Sequence, residues 1–104
     1  MQTFQPKAPG ESVALTYVFG NGLAPGETLT SGISVAVVVQ QGTDPNPGAI
    51  LNGGPGLDST TTQVIVPVQG GINNTVYEIT VTVATSNSKK TLVLSAALPV
   101  RNAV

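Results

Sequence analysis

Apolar and polar residues alternate with period two along much of this chain. Between Ser12 and Phe19, the residues Val13, Leu15, Tyr17 and Phe19 fall on one side and Ala14, Thr16 and Val18 on the other. That period marks a strand with one buried face. Ile33 to Gln41 carries Ile33, Val35, Val37 and Val39 on one side, with Ala36 and Val38 apolar on the other, so its centre is expected to be buried on both faces. Thr60 to Val68 repeats the alternation with Thr62, Val64, Val66 and Val68. Pro67 within it cannot donate to a ladder, which points to an edge position or to the strand's end. Val76 to Val83 reads V-Y-E-I-T-V-T-V and Thr91 to Leu98 reads T-L-V-L-S-A-A-L, joined by A-T-S-N-S-K-K. These runs predict a hairpin, with Tyr77, Ile79, Val81 and Val83 facing inward beside Leu92, Leu94, Ala96 and Leu98. Glu78, Thr80 and Thr82 face outward, and Pro99 is expected to end the last strand.

Shorter strands are expected at Glu27 to Thr30 and Ala49 to Leu51. Breaks fall at Gly20-Asn21-Gly22, Ala24-Pro25-Gly26-Glu27, Gly42 to Gly48, Asn52 to Gly56 and Gln69 to Asn74. Turn signals spaced about 8–12 residues apart, with about seven short strands and no helical pattern, predict an all-β fold. The expected form is an immunoglobulin-like or fibronectin III-like β-sandwich. No internal repeat of about 20–50 residues points to a solenoid or propeller. The expected organisation is an extended N-terminal arm over 1–10, one sandwich domain over 11–100 and a tail over 101–104. A chain of 104 residues is long enough for one core.

Composition sharpens this picture. Charged residues make up 9% of the chain, against roughly a quarter in an average soluble protein. So weakly charged a surface suits a chain that packs against neighbours. Lys7, Lys89, Lys90 and Arg101 are too few and too scattered for a phosphate backbone, so nucleic acid is not an expected partner. The longest apolar run, Val35 to Val39, is far below the roughly 20 residues of a membrane span, so no membrane partner is expected. The first residues lack the apolar centre of a secretory signal. With no Cys, packing alone must hold the fold.

Chemistry is scarce. Without His or Cys, most transition-metal sites and the Cys or His nucleophile systems are ruled out. Glu11, Glu27, Asp44, Asp58 and Glu78 lie apart in sequence and read as solvated loop or face residues. No catalytic group, cofactor or metal is expected. Asp44 and Asp58 flank a Gly/Pro-rich segment of the kind that can hold calcium, but no D-x-[DN]-x-[DN]-G spacing appears, and an ordered loop with Asx turns is the expectation. Gly53-Gly54-Pro55-Gly56 lacks the Gly-Lys-Ser/Thr ending of a phosphate loop. Asn73-Asn74-Thr75 matches a glycosylation sequon by chance, and Lys89-Lys90 reads as a solvated turn.

Tyr77 stands early in the penultimate strand after a Gly-Gly turn. Either it forms a tyrosine corner, its hydroxyl bonding a carbonyl between Gly70 and Asn73, or it fills the core with its hydroxyl at the surface. Both roles are structural. Expected contact surfaces are the long loops 42–48 and 52–58, with Asp44, Pro45, Asn46, Pro47, Asn52, Pro55 and Asp58. An extended arm bearing Phe4, Pro6, Lys7 and Pro9 is expected to reach a neighbouring subunit.

The runs V-V-V-Q-Q-G-T-D-P-N-P and V-I-V-P-V-Q-G-G-I-N-N-T-V-Y-E-I-T-V-T-V-A-T-S-N-S-K-K carry a resemblance. The chain resembles small immunoglobulin-like virion proteins of tailed bacteriophages, of the fiber-tail or tail-associated adaptor type. The matching positions are Val64, Val66, Gly70, Gly71, Tyr77, Ile79, Val81, Ala84, Thr85 and Lys89, within a likeness spanning Val13 to Val100. Asn87-Ser88 stands where the family pattern has Gly. The resemblance implies a non-enzymatic part present in many copies, connecting tail and fiber or connector components. It implies virion proteins and further copies of itself as partners, in a virion assembled in the host bacterial cytoplasm. Two other functions fit the composition. One is a capsid decoration protein. The other is a surface-glycan module, disfavoured because three of the four aromatics, Phe4, Tyr17, Phe19 and Tyr77, are assigned to core faces.

Overall fold

A computed structural model describes residues 2–101. The hairpin is its spine. Strands β6 (Thr75–Thr85) and β7 (Thr91–Val100) pair antiparallel, setting Tyr77 opposite Leu98, Ile79 opposite Ala96 and Val81 opposite Leu94. On the far side of β6 lies β3 (Leu29–Gln41), also antiparallel. Strand β1 (Gln2–Thr3) runs parallel along β7, so the large sheet has the order β1-β7-β6-β3. The second sheet, in the order β2-β5-β4, consists of β2 (Ser12–Val18), β5 (Gln63–Gln69) and β4 (Gly56–Leu57). Short 3-10 turns occupy Gly20–Gly22 and Pro47–Ile50.

The inward positions of the two sheets meet in one core. Leu15, Tyr17, Val64, Val66 and Val68 face Tyr77, Ile79, Val81, Val83, Leu98 and Val100. Each such side chain stabilises the fold by about 1.5–3 kcal/mol relative to exposure. Tyr17 is fully buried, and its hydroxyl donates to the carbonyl of Ile79 at 2.8 Å, joining the sheets through the core. Burial pushes that hydroxyl's pKa well above the ordinary tyrosine value.

Several expectations need correction. The two strands expected from Glu27 to Gln41 are one strand, β3, with a register shift between Leu29 and Ile33. Its centre is not buried on both faces, since Ala36 is exposed and Val38 is 52% exposed. Beta-branched residues favour a strand whether or not a layer covers them, and nothing covers this outer face among the described residues. Ala49 to Leu51 is not a strand, because Pro47 opens the second 3-10 turn; Leu51 makes only a single bridge to Val68. Strand β5 begins at Gln63 rather than Thr60, after a tight turn in which Thr61 takes φ 55°.

Pro67 lies in the middle strand of its sheet, not at an edge. Its carbonyl accepts from the Asn52 N–H at 3.0 Å, so this residue's backbone points away from β2, past the end of β4. There a missing N–H breaks no ladder bond. Pro99 likewise does not end β7. Its carbonyl accepts from the Lys7 N–H at 2.9 Å, on the side facing the N-terminal segment. Apart from Arg101, the expected tail lies outside the described residues, as does Met1.

Candidate docking surfaces

Charge is scarce on the sheet faces. On the outer face of the large sheet, cross-strand rows set Ser34 beside Thr82 and Val93, Ala36 beside Thr80 and Ser95, and Val38 beside Glu78 and Ala97. The hydroxyls of Thr80 and Ser95 bond each other at 2.8 Å. The outer face of the small sheet carries Ala14, Thr16 and Val18 opposite Pro67, Ile65 and Gln63. Among the described residues, Glu78 is the one charged side chain on either face. Uncharged hydroxyl and aliphatic side chains, with Val18, Val38 and Val93 exposed among them, make surfaces that lose little when water is removed from them.

The two edges of the large sheet differ. Strand β3 pairs with no strand on its outer side among the described residues, although at its start the Leu29 N–H donates to Thr61 O at 2.9 Å. Its inward Ile33, Val35, Val37 and Val39 are only half-buried, whereas Tyr77, Ile79, Val81 and Val83, opposite them on β6, are fully buried. The strand contains no charge and no Pro. Edges are normally guarded by Lys, Pro, short length or a covering segment, because unpaired N–H and C=O groups are a template for another strand. Here the guards are register shifts near the two ends of the strand.

The β7 edge is closed by the N-terminal segment. Besides the β1 pairs, Phe4 N–H donates to Ala97 O and Arg101 N–H donates to Lys7 O, each at 2.9 Å. Phe4 packs edge-on against Tyr17 with ring centroids 5.4 Å apart. Lys7 is 3% exposed, and its ammonium donates to Ala8 O at 2.8 Å and to Gly70 O. Burial lowers its pKa, with nearby Glu11 pulling the other way. The segment expected to be a free arm is therefore seated on its own domain. Lys7 faces the chain's own carbonyls and offers no charge to a partner.

The strand ends gather the loops into two groups. One holds residues 7–11, the start of the 42–55 loop and the 70–74 turn. Here Tyr77 Oη donates to Asp44 Oδ2 at 2.7 Å and accepts the Ile72 N–H at 3.0 Å. The expected carbonyl partner between Gly70 and Asn73 is corrected to an amide, because the neighbouring carboxylate takes the hydroxyl proton. Burial first, then donation to Asp44, raises the Tyr77 pKa. Asp44 Oδ1 also accepts the Asn46 N–H at 2.9 Å, which holds the loop against β6. A shallow concavity of about 540 Å³ opens between these loops, lined by Pro9, Asp44, Asn46, Gly71 and Ile72 among others.

At the opposite end, Glu27 Oε1 takes the Lys90 ammonium at 2.6 Å and the Ala24 N–H at 3.1 Å. The Lys90 bond is the main reason its carboxyl lies below the usual range. Asp58 accepts from the Thr60 hydroxyl at 2.7 Å and, more weakly, from the Thr62 and Gln63 N–H groups. The Thr60 bond is the largest cause of its lowered pKa. These acids, expected to be solvated loop residues, also close their loops, and Lys90 joins them.

A family model described as Podophage GP4 fiber-tail adaptor protein gp77 matches residues 7–99. The chain belongs to this family. The family is that of a structural adaptor of the phage tail, a virion component whose partners are other virion proteins. Neither the curated proteins nor the solved structures contain a significant match. The matched residues take in β2 through most of β7 together with the Lys7 anchor, and leave β1 outside.

For an adaptor, the relevant features are its surfaces. The expected contact residues do not form one patch. Asp44, Pro45, Asn46 and Pro47 lie at the first loop end, whereas Asp58 lies at the second. Exposed Asn52 and half-buried Pro55 lie on the segment that runs between those ends along β5. No group of three acidic side chains gathers among the described residues. No described helix is long and apolar enough to cross a membrane. Sequence reasoning did not find the open β3 edge. Its signal was present in the 16 consecutive uncharged residues from Thr28 to Thr43.

Proposed function

We propose that this chain is a non-enzymatic, immunoglobulin-like adaptor, present in multiple copies, that connects tail and fiber components of a podophage virion. The observation that carries this reading is the open, uncharged β3 edge beside sheet faces that hold a single charge, Glu78, among the described residues. An extended segment of a neighbouring subunit would pair along the outer side of β3 and cover its half-buried valines. The loop ends, with Asp44 to Pro47 at one and Asp58 at the other, would fix which neighbour sits there. Family membership supports the tail assignment. The strand order β7-β6-β3 facing β2-β5-β4 supports the immunoglobulin-like assignment, since such domains divide their strands in this way. In this reading the chain binds neither nucleic acid nor membrane. Its four basic side chains include one that is buried and one that is ion-paired.

Peptide mass spectrometry on source particles, separated into heads and tails, tests the proposal. The chain should be recovered with tails at several copies per particle. Recovery with heads alone would overturn it in favour of a decoration role.

A further inference from the structure

The chain contains two Asn-Gly pairs, Asn21-Gly22 and Asn52-Gly53. In such a pair the glycine amide nitrogen can attack the preceding side-chain amide carbon, because glycine has no Cβ in the way and reaches many backbone conformations. The fold treats the two pairs differently. Gly22 N–H donates to Phe19 O at 2.9 Å inside a 3-10 turn, so that nitrogen is held away from the attack. Gly53 is exposed, has φ +91°, and has open space where a side chain would project. Its N–H has no hydrogen-bond partner among the described residues. The Asn52 side chain is likewise exposed and unbonded among them, while the Asn52 N–H is pinned to Pro67 O.

The other described asparagines are less suited. Asn46 precedes Pro47, which has no N–H. Asn73, Asn74 and Asn87 precede residues with a Cβ, and the Asn87 side-chain oxygen is engaged by the Lys89 N–H at 3.1 Å.

We infer that Asn52 is a self-modification site, losing its side-chain amide spontaneously and well ahead of Asn21. Gly53 N gives its proton to solvent and forms a bond to Asn52 Cγ. Ammonia leaves, and a five-membered imide remains. Water then adds to either imide carbonyl and opens the ring, leaving an aspartyl or isoaspartyl residue at this position. The sum is amide plus water giving carboxylate plus ammonium, with no oxidant or reductant.

The product places a negative charge in a stretch that is neutral from Pro45 to Leu57. The isoaspartyl form also adds a main-chain carbon between the Leu51–Val68 bridge and the Gly56–Ile65 pair, which loosens β4 from β5. This inference does not depend on the adaptor reading.

The test is to incubate the full chain, folded and separately in denaturant, at mildly alkaline pH and to map peptides over time. Each event adds about one mass unit to its peptide. In the folded chain the Asn52 peptide should change about fivefold faster than the Asn21 peptide, the factor that one ordinary hydrogen bond is worth. In denaturant the two rates should converge. The folded Asn52→Gln variant should lose the early acidic shift on isoelectric focusing. Asn21 keeping pace with Asn52 in the folded chain would overturn the inference. So would an unchanged Asn52 in a folded chain whose denatured form reacts.

Discussion

On one edge of the large sheet, β7 meets the N-terminal segment, with Phe4 against Tyr17 and the Lys7 ammonium on two carbonyls. On the other edge, β3 meets no strand among the described residues and leaves Val38 52% exposed. Both edges belong to one sheet and flank the same hairpin, yet one is covered within the chain and the other is left for something outside it. A domain that only had to stay folded and monomeric would guard both. The difference points to the closed edge as a stability element and the open edge as an assembly element.

The largest expected effect comes from breaking what the closed edge leans on. Tyr17→Ala removes a fully buried ring, the bond to Ile79 and the support of Phe4. It should cost about 3–5 kcal/mol in denaturant unfolding. Deleting residues 1–8 comes next. It removes the β1 pairing, three further backbone bonds to β7 and its extension, the Phe4–Tyr17 contact and the Lys7 clasp on Gly70. At about 1 kcal/mol net per bond, the loss should be at least about 2–3 kcal/mol. An unchanged midpoint would show that the segment is a free arm after all.

A smaller effect tests the far loop end. Folding lowers the pKa of Glu27, chiefly through Lys90, and of Asp58, chiefly through Thr60. A depressed carboxyl pKa stabilises the fold above the unfolded value and loses that stabilisation as pH falls through the folded value. Thermal midpoints should therefore hold near neutral pH and decline below about pH 4. Glu27→Gln should flatten that decline. The smallest effect on stability should be Val38→Lys on the open edge, within about 0.5 kcal/mol, because the side chain points to solvent.

The hairpin was legible because β6 alternates strictly, β7 keeps Leu92, Leu94, Ala96 and Leu98 at period two, and one layer of core takes the inward set. Strand β2 was legible for the same reason. Strand β3 misled because V-A-V-V-V has the same apolar run whether a second layer covers it or a partner does. Periodicity reads side chains, whereas burial depends on what lies across the sheet. Pro67 misled because its position along β5, beyond the end of short β4, is set by pairing that no local pattern encodes. The buried role of Lys7 had no local signal. Its partner carbonyl is 63 residues away, at a glycine. The Glu27–Lys90 pair spans the same separation. Tyr77 could be placed from its strand position. The Asp44 carboxylate that takes its proton comes from a loop 33 residues upstream, brought in by the fold.

The most direct test of the open edge is incorporation of Val38→Lys into particles. Host cells producing phage would supply either the wild-type chain or the variant, and purified tails would be assayed for the chain by mass spectrometry. With β3 as the assembly edge, wild type is retained in tails while the folded variant is lost from them, since an edge lysine obstructs strand addition. Equal retention of a folded Val38→Lys chain would contradict the account and move the contact surface to the loop ends.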